Sequence, residues 1–243
     1  MFRSFLIYGL IYGTIFLSCT TVHAQLEQLE KNLGLGNTTK LSDSKVASGL
    51  KEALKVGAEN SVKLTGKTDG YFKNEAIKIL MPGNLRPLEK GLRAVGFGPK
   101  IDSFILSMNR SAEAAAPAAK KIFTNAILEM SFDDARRILS GGDTAATDYF
   151  KSKTTDHLTV AFRPFVEKTM NENGVVKQYK GLTEQYQSIP FAKNETFDVN
   201  KYVVAKALDG LFYELADQER QIRKNPAART TSLLKEVFGE AHK

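Results

Sequence analysis

The chain has 243 residues, 42% hydrophobic and 25% charged, with 34 Lys and Arg against 27 Asp and Glu for a net charge of +7. These proportions exclude intrinsic disorder, and the length suffices for one sizeable domain. A single cysteine, Cys19, excludes a disulfide framework, and a basic excess with no run of four cations leaves no nucleic-acid stripe, although it suits contact with an anionic membrane surface.

Residues 1–24 read as a signal peptide. Arg3 precedes an apolar run from Phe5 to Leu17, and Val22-His23-Ala24 presents small or β-branched residues at the two positions a signal peptidase inspects. The run is about 13 residues, short of the roughly 20 a spanning helix needs. Cleavage after Ala24 is expected. It would leave 219 residues beginning at Gln25, with 33 cations against 27 anions, exported to the periplasm and free of cysteine. The alternative address is a membrane-anchored lipoprotein held through Cys19, because Phe16-Leu17-Ser18-Cys19 loosely resembles a lipobox.

An N-terminal lead-in, residues 25–40, comes before helical periodicity sets in. Asp43 and Ser44 can cap a helix to about Leu64, with Val46, Leu50, Ala53, Leu54, Ser61 and Leu64 on one face. Gly49 and Gly57, on or beside that face, predict close approach of another helix. The helical signal lapses from Lys67 to Pro82, where residues 76–80 suggest a short extended segment ended by Pro82-Gly83. A helix over Leu85–Val95 closes at Gly96. From Ile101 to Met130 apolar residues keep a 3–4 spacing, and Pro117 predicts a kink or two abutting helices.

A short helix, Phe132–Leu139, follows. Gly141-Gly142 then breaks the chain before Asp143 caps a long helix. Its apolar face is expected to hold Ala146, Tyr149, Phe150, His157, Leu158, Phe162, Phe165, Val166 and Met170. Asn173-Gly174 marks a turn, residues 177–187 a shorter helix, and 188–196 a loop. Asp198 opens a helix striped by Val199, Tyr202, Leu208, Leu211, Phe212, Leu215 and Ile222. Asn225-Pro226 starts a last helix to about Phe238. With strand patterns nearly absent, the expected fold is an all-α globular bundle of about seven to nine helices, with at most a minor β element near 76–80.

Three segments carry a resemblance. They are Leu106-Ser-Met-Asn-Arg-Ser-Ala-Glu-Ala-Ala-Ala-Pro117; Asp134-Ala-Arg-Arg-Ile-Leu-Ser-Gly-Gly-Asp-Thr-Ala-Ala-Thr-Asp-Tyr-Phe150 through Lys153-Thr154; and Lys206-Ala-Leu-Asp-Gly-Leu-Phe212 with Asn225-Pro-Ala-Ala-Arg-Thr-Thr-Ser-Leu-Leu-Lys-Glu-Val-Phe-Gly239. In this order they resemble the bacterial family of exported helical proteins known as domain of unknown function 4197, over about residues 41–239. The resemblance implies one signal-bearing, mainly helical envelope domain followed by a tail at 240–243. It brings no catalytic residues, because the family has no settled activity.

The polar clusters admit structural and functional uses. Asp133, Asp134 and Asp143, with Glu129, could gather a hard cation, but the spacing is not that of a calcium loop and helix capping accounts for them, Ser131 and Asp134 as a capping-box-like pair. No metal site is therefore expected. Gly141-Gly142-Asp143-Thr144 at a helix start invites an anion, yet it lacks the lysine–serine pair of a phosphate loop and carries an acid. Lys153 and His157, four residues apart beside the apolar stripe, could move a proton or grip an anion; the alternative is a snorkelling lysine and a core histidine. Arg229, with Thr230 and Thr231, could clamp a carboxylate or phosphate, or tie the last helix to Asp209 or Glu219 by an internal salt bridge.

Hydrolase signatures are missing, and His157 and His242 are the only histidines after the leader. The chain is thus expected to be an exported, non-enzymatic protein binding an envelope ligand or protein partner without a cofactor, with Asp143, Lys153, His157, Arg229, Thr230 and Thr231 as candidate ligand contacts. The alternatives are an enzyme using Asp143, Lys153 and His157 in one cleft, and a lipoprotein scaffold.

Overall fold

Helix α1 (Asp43–Gly66) buries Leu50, Ala53, Leu54, Ala58, Ser61, Val62 and Thr65 along one side, while Val46 and Leu64 are only half-buried. Two of the buried positions are hydroxyls, and each donates to the carbonyl one turn back: Ser61 to Gly57 and Thr65 to Ser61, both at 2.7 Å. Local bonding of this kind lets a polar side chain sit in a core stripe without an unpaired donor. The structure is a computed structural model that describes residues 43–172 and 198–229, with Gly181, Thr231, Ser232 and Lys235. The expected leader and lead-in, the expected turn at 173–174, all of the expected helix at 177–187 but Gly181, the expected loop at 188–196, Thr230 and most of the expected last helix lie outside the described residues.

After α1 the chain runs without regular structure to a 3-10 turn at Gly83–Leu85, then through α2 (Arg86–Ala94), which ends where Gly96 takes φ +90°. The long apolar pattern becomes two helices, α3 (Gly98–Ala115) and α4 (Ala119–Leu128), joined end to end through a 3-10 turn at Ala116–Ala118 that holds Pro117. A proline there removes one helical N–H and forces the break. The small, fully buried Ala112, Ala115, Ala116 and Ala119 let neighbouring helices close on this joint, and the Pro117 ring would stand 3.4 Å from a Cβ placed on Gly66.

Helix α5 (Phe132–Ser140) begins with the expected capping box, the Ser131 hydroxyl accepting the Asp134 N–H and the Asp134 carboxylate accepting the Ser131 N–H. Helices α6 (Ala145–Glu172) and α7 (Val199–Lys224) pack on each other; α3 packs on both, and α1 lies along α7. Phe123, Phe150 and Phe212 meet where α4, α6 and α7 come together, with ring centroids 4.9 and 6.2 Å apart around Phe123. There are seven α-helices among the described residues, or six when α3 and α4 count as one kinked rod, at or just under the expected seven to nine. No strand occurs among the described residues, and no described helix is long and apolar enough to cross a membrane.

Along α6 the buried row is Ala146, Phe150, Thr154, Leu158, Phe162, Val166 and Met170. Each step of four advances about 40° around a helix, so the buried ridge winds along α6 instead of forming a straight stripe. Tyr149, His157 and Phe165, expected on that face, sit one residue behind the ridge and rotate outward: Tyr149 is half-buried and the other two are exposed. Thr154 takes the inward place, its hydroxyl donating to the Phe150 carbonyl at 2.6 Å.

Candidate functional site

The first polar centre lies where α5 ends, α6 begins and α7 passes. The Glu219 carboxylate accepts the N–H groups of Ala146 and Thr147 and the Thr147 hydroxyl, all at 2.9 Å. It therefore occupies the positive end of the α6 dipole, the place where an external anion would bind. Arg223, one turn on in α7, forks onto Glu219 at 2.9 and 3.0 Å and donates to the Ile138 carbonyl near the end of α5 at 2.8 Å.

Arg229 is buried and donates to the Ile222 and Arg223 carbonyls at 3.1 and 2.8 Å, satisfying the C-terminal end of α7. The expected Arg229 salt bridge to Asp209 or Glu219 is not made. Arg223 is the helical neighbour of Glu219 at i,i+4, and Asp209 pairs with Lys206. Asp143, expected as the α6 cap, is exposed and bridges to Lys224, whose ammonium holds its carboxyl below the usual aspartate range. Thr231 is half-buried.

This arrangement accounts for the Ser-Gly-Gly-Asp-Thr-Ala-Ala-Thr run. A Cβ on Gly141 would lie 2.5 Å from the Ala145 Cβ and 2.8 Å from the Arg137 carbonyl oxygen, so only glycine fits the turn. Ala146 and Thr147 present their N–H groups to Glu219, and with Phe150 they line a crevice against Leu50, Ala53 and Leu215.

Lys153 and His157 are both exposed on α6, side by side at i,i+4. The α6 rise places Lys153 about 12 Å and His157 about 18 Å along the helix from its start at Ala145, just after Asp143. The three groups expected to converge in an enzyme therefore do not share a cleft. Nor do Lys153 and Arg229 share an apolar pocket, since one is exposed and the other spends its guanidinium on α7 carbonyls. Asp134, from the candidate cation cluster, is engaged by Ser131 and Arg137. Among the described residues, no three His, Cys, Asp or Glu side chains gather as a metal site would need.

A second polar centre pins the irregular segment 67–82. The buried Glu113 of α3 accepts the N–H groups of Tyr71 and Phe72 at 3.1 and 3.2 Å and pairs with Arg110 at 2.6 Å, while Arg110 reaches Asp69 at 2.7 Å. The Tyr71 hydroxyl donates to the Ala207 carbonyl of α7 at 2.6 Å, and its ring lies over Gly210, where a Cβ would come within 2.5 Å of it. Burial first, then the nearby Glu214 and Glu113 charges, push this phenol well above the ordinary tyrosine value. The segment expected as extended is held by Asn109, whose amide accepts the Ile79 N–H and donates to the Ile79 carbonyl, both at 2.8 Å. One side chain thus does what a neighbouring strand would do.

Glu113 and Asn109 went unrecognised in the sequence, although a visible sign existed: both sit among the apolar residues of α3 at Ile105, Met108 and Ala112.

A cavity of about 480 Å³ forms a trench between α6 and the first turns of α7. Thr159, Arg163 and Glu167 form one wall at successive i+4 positions; Asp198, Asn200, Lys201, Val204 and Ala205 form the other. Asp198 caps α7 by accepting the Lys201 N–H at 2.9 Å. The Arg163, Glu167 and Lys201 side chains make no ion pair with any described residue, and the Asn200 Oδ1 atom is buried without a hydrogen-bond partner. No sequence signal separates these residues from an ordinary solvated face. Only the packing of α6 on α7 brings them together.

The chain belongs to the DUF4197 family, described as a protein of unknown function, which it matches over residues 40–239. No curated protein and no solved structure matches it.

Proposed function

Within the DUF4197 family, we propose that this chain is an exported, non-enzymatic binding protein of the bacterial envelope, and that the α6–α7 trench receives its ligand. The trench is the observation that carries the reading. Its volume falls in the range of small-molecule sites, and its walls carry Arg163, Glu167 and Lys201, none of them in an ion pair with a described residue. The other two polar centres are consumed by the protein itself, around Glu219 and around Glu113. The leader supports export, with cleavage after Ala24 and a periplasmic mature chain. Lys153 and His157 remain candidate ligand contacts as an exposed pair on α6, whereas Asp143 and Arg229 serve the helix ends in this reading.

Two measurements test it. Native mass spectrometry of the protein purified from its own envelope should find a retained small molecule that is lost in an Arg163→Ala/Lys201→Ala double variant. A ligand-free spectrum for the wild-type protein, or a ligand kept by the double variant, would overturn the assignment. The intact mass of the same sample should correspond to a chain starting at Gln25; a lipidated Cys19 would replace the soluble address with a membrane-anchored one.

A further inference from the structure

Exposed turns are ordinarily built from polar residues, and the connection between α2 and α3 is not. Ala94-Val95-Gly96-Phe97-Gly98-Pro99 carries no polar side chain, none of these residues is buried, and Val95 is 68% exposed. Gly96, at φ +90°, turns the chain at this tip. Helix α2 before it buries only Leu88 and Leu92, so the tip ends a small peripheral helix and completes no core.

Much of the tip's backbone is already spent within the chain. The Gly96 and Phe97 N–H groups donate to the Arg93 and Leu92 carbonyls at 3.2 and 2.9 Å, and the Phe97 carbonyl accepts the Lys100 and Ile101 N–H groups at 3.1 and 3.2 Å. A turn bonded in this way loses few hydrogen bonds on leaving water.

Charge around the tip has one sign to spare. The two acids beside it in the chain, Glu89 and Asp102, both accept from Arg93, at 3.0 and 2.7 Å. Lys90, one turn before the tip, and Lys100, in the first turn of α3, are exposed and make no ion pair with any described residue; the Lys100 ammonium stands 4.9 Å from the Phe97 ring centroid. An apolar tip between two such ammonium groups complements an anionic bilayer, where phosphates lie over hydrocarbon. A stable protein interface needs roughly 800 Å² from each partner, more than one short turn offers.

We infer that the α2–α3 tip is a peripheral contact for an anionic phospholipid surface. Val95 and Phe97 enter the boundary between headgroups and acyl chains, and Lys90 and Lys100 meet the phosphates. This contact goes beyond the trench and does not depend on it.

Because the chain has no tryptophan, one introduced at the tip reports from that place alone. With vesicles containing phosphatidylglycerol, the fluorescence of a Val95→Trp variant should shift to shorter wavelength and be quenched by bromine-labelled acyl chains. A Tyr213→Trp variant, on the exposed face of α7, should show neither effect. Adding Lys90→Ala and Lys100→Ala to the Val95→Trp chain should raise the lipid concentration at half-effect by about fivefold per cation. Vesicles of phosphatidylcholine alone should give a much weaker shift. No shift with the anionic vesicles overturns the inference, as do an equal shift for Tyr213→Trp, an equal shift with phosphatidylcholine, or indifference to the two lysines. Should the Val95→Trp chain fail to fold, sedimentation with anionic vesicles decides between the same outcomes: weaker binding of Lys90→Ala/Lys100→Ala than of wild type supports the contact, and equal binding overturns it.

Discussion

Glu219 shows how one side chain can serve three helices. Its carboxylate satisfies two N–H groups at the start of α6, holds the Arg223 fork, and through Arg223 reaches the end of α5. Both partners are largely buried, so removing the negative charge strands a guanidinium. Glu219→Gln is expected to lower the unfolding free energy by about 3 kcal/mol in urea denaturation, close to the loss typical of a broken buried pair. Tyr71 makes a different prediction. Its folded value lies above its unfolded value of about 10, so its contribution to stability is present below that pH and is lost as pH rises beyond it, where only the unfolded chain releases the phenolic proton. Tyr71→Phe should cost about 1 kcal/mol at neutral pH, from the bond to Ala207, and should flatten the alkaline fall of stability measured by pH-dependent denaturation.

At the scale of elements, helix starts, breaks and ends follow residues whose effect is local. The Pro117 joint, the Ser131–Asp134 capping box, the Asp198 cap and the end of α2 at Gly96 were all legible, because each depends on a backbone conformation or a bond within a few residues. The facing of α6 was less legible. Periodicity gives a stripe, whereas contact with several neighbours at inclined angles selects a winding ridge, and this puts Thr154 inside and His157 outside. Pro164 lies within α6 on an exposed position, so it removes the N–H that would reach the Val160 carbonyl and buries no compensating surface. Pro164→Ala is therefore expected to raise the unfolding free energy by about 1–3 kcal/mol, read as a higher thermal midpoint by circular dichroism.

At the scale of the whole molecule, cohesion comes from an apolar interior crossed by polar ties between distant segments: Glu219 to the start of α6, Glu113 and Asn109 to segment 67–82, and Tyr71 to α7. No disulfide within the chain takes part, because it has one cysteine, Cys19. A reducing agent should leave the calorimetric transition of the full chain unchanged; a shift would reveal a disulfide between copies through Cys19. The sequence by itself determined the helical class, the order and boundaries of most described helices and the family, because propensity, capping and periodicity act over a turn or two of chain. Only the tertiary structure decided that Glu219 instead of Asp143 completes the start of α6, and that Arg229 serves α7 carbonyls instead of a carboxylate. It alone formed the trench from Arg163, Glu167, Asn200 and Lys201. Each of those outcomes depends on which helix face meets which neighbour, and the free energy of that choice comes from packing summed over the whole core, which no local pattern of residues contains.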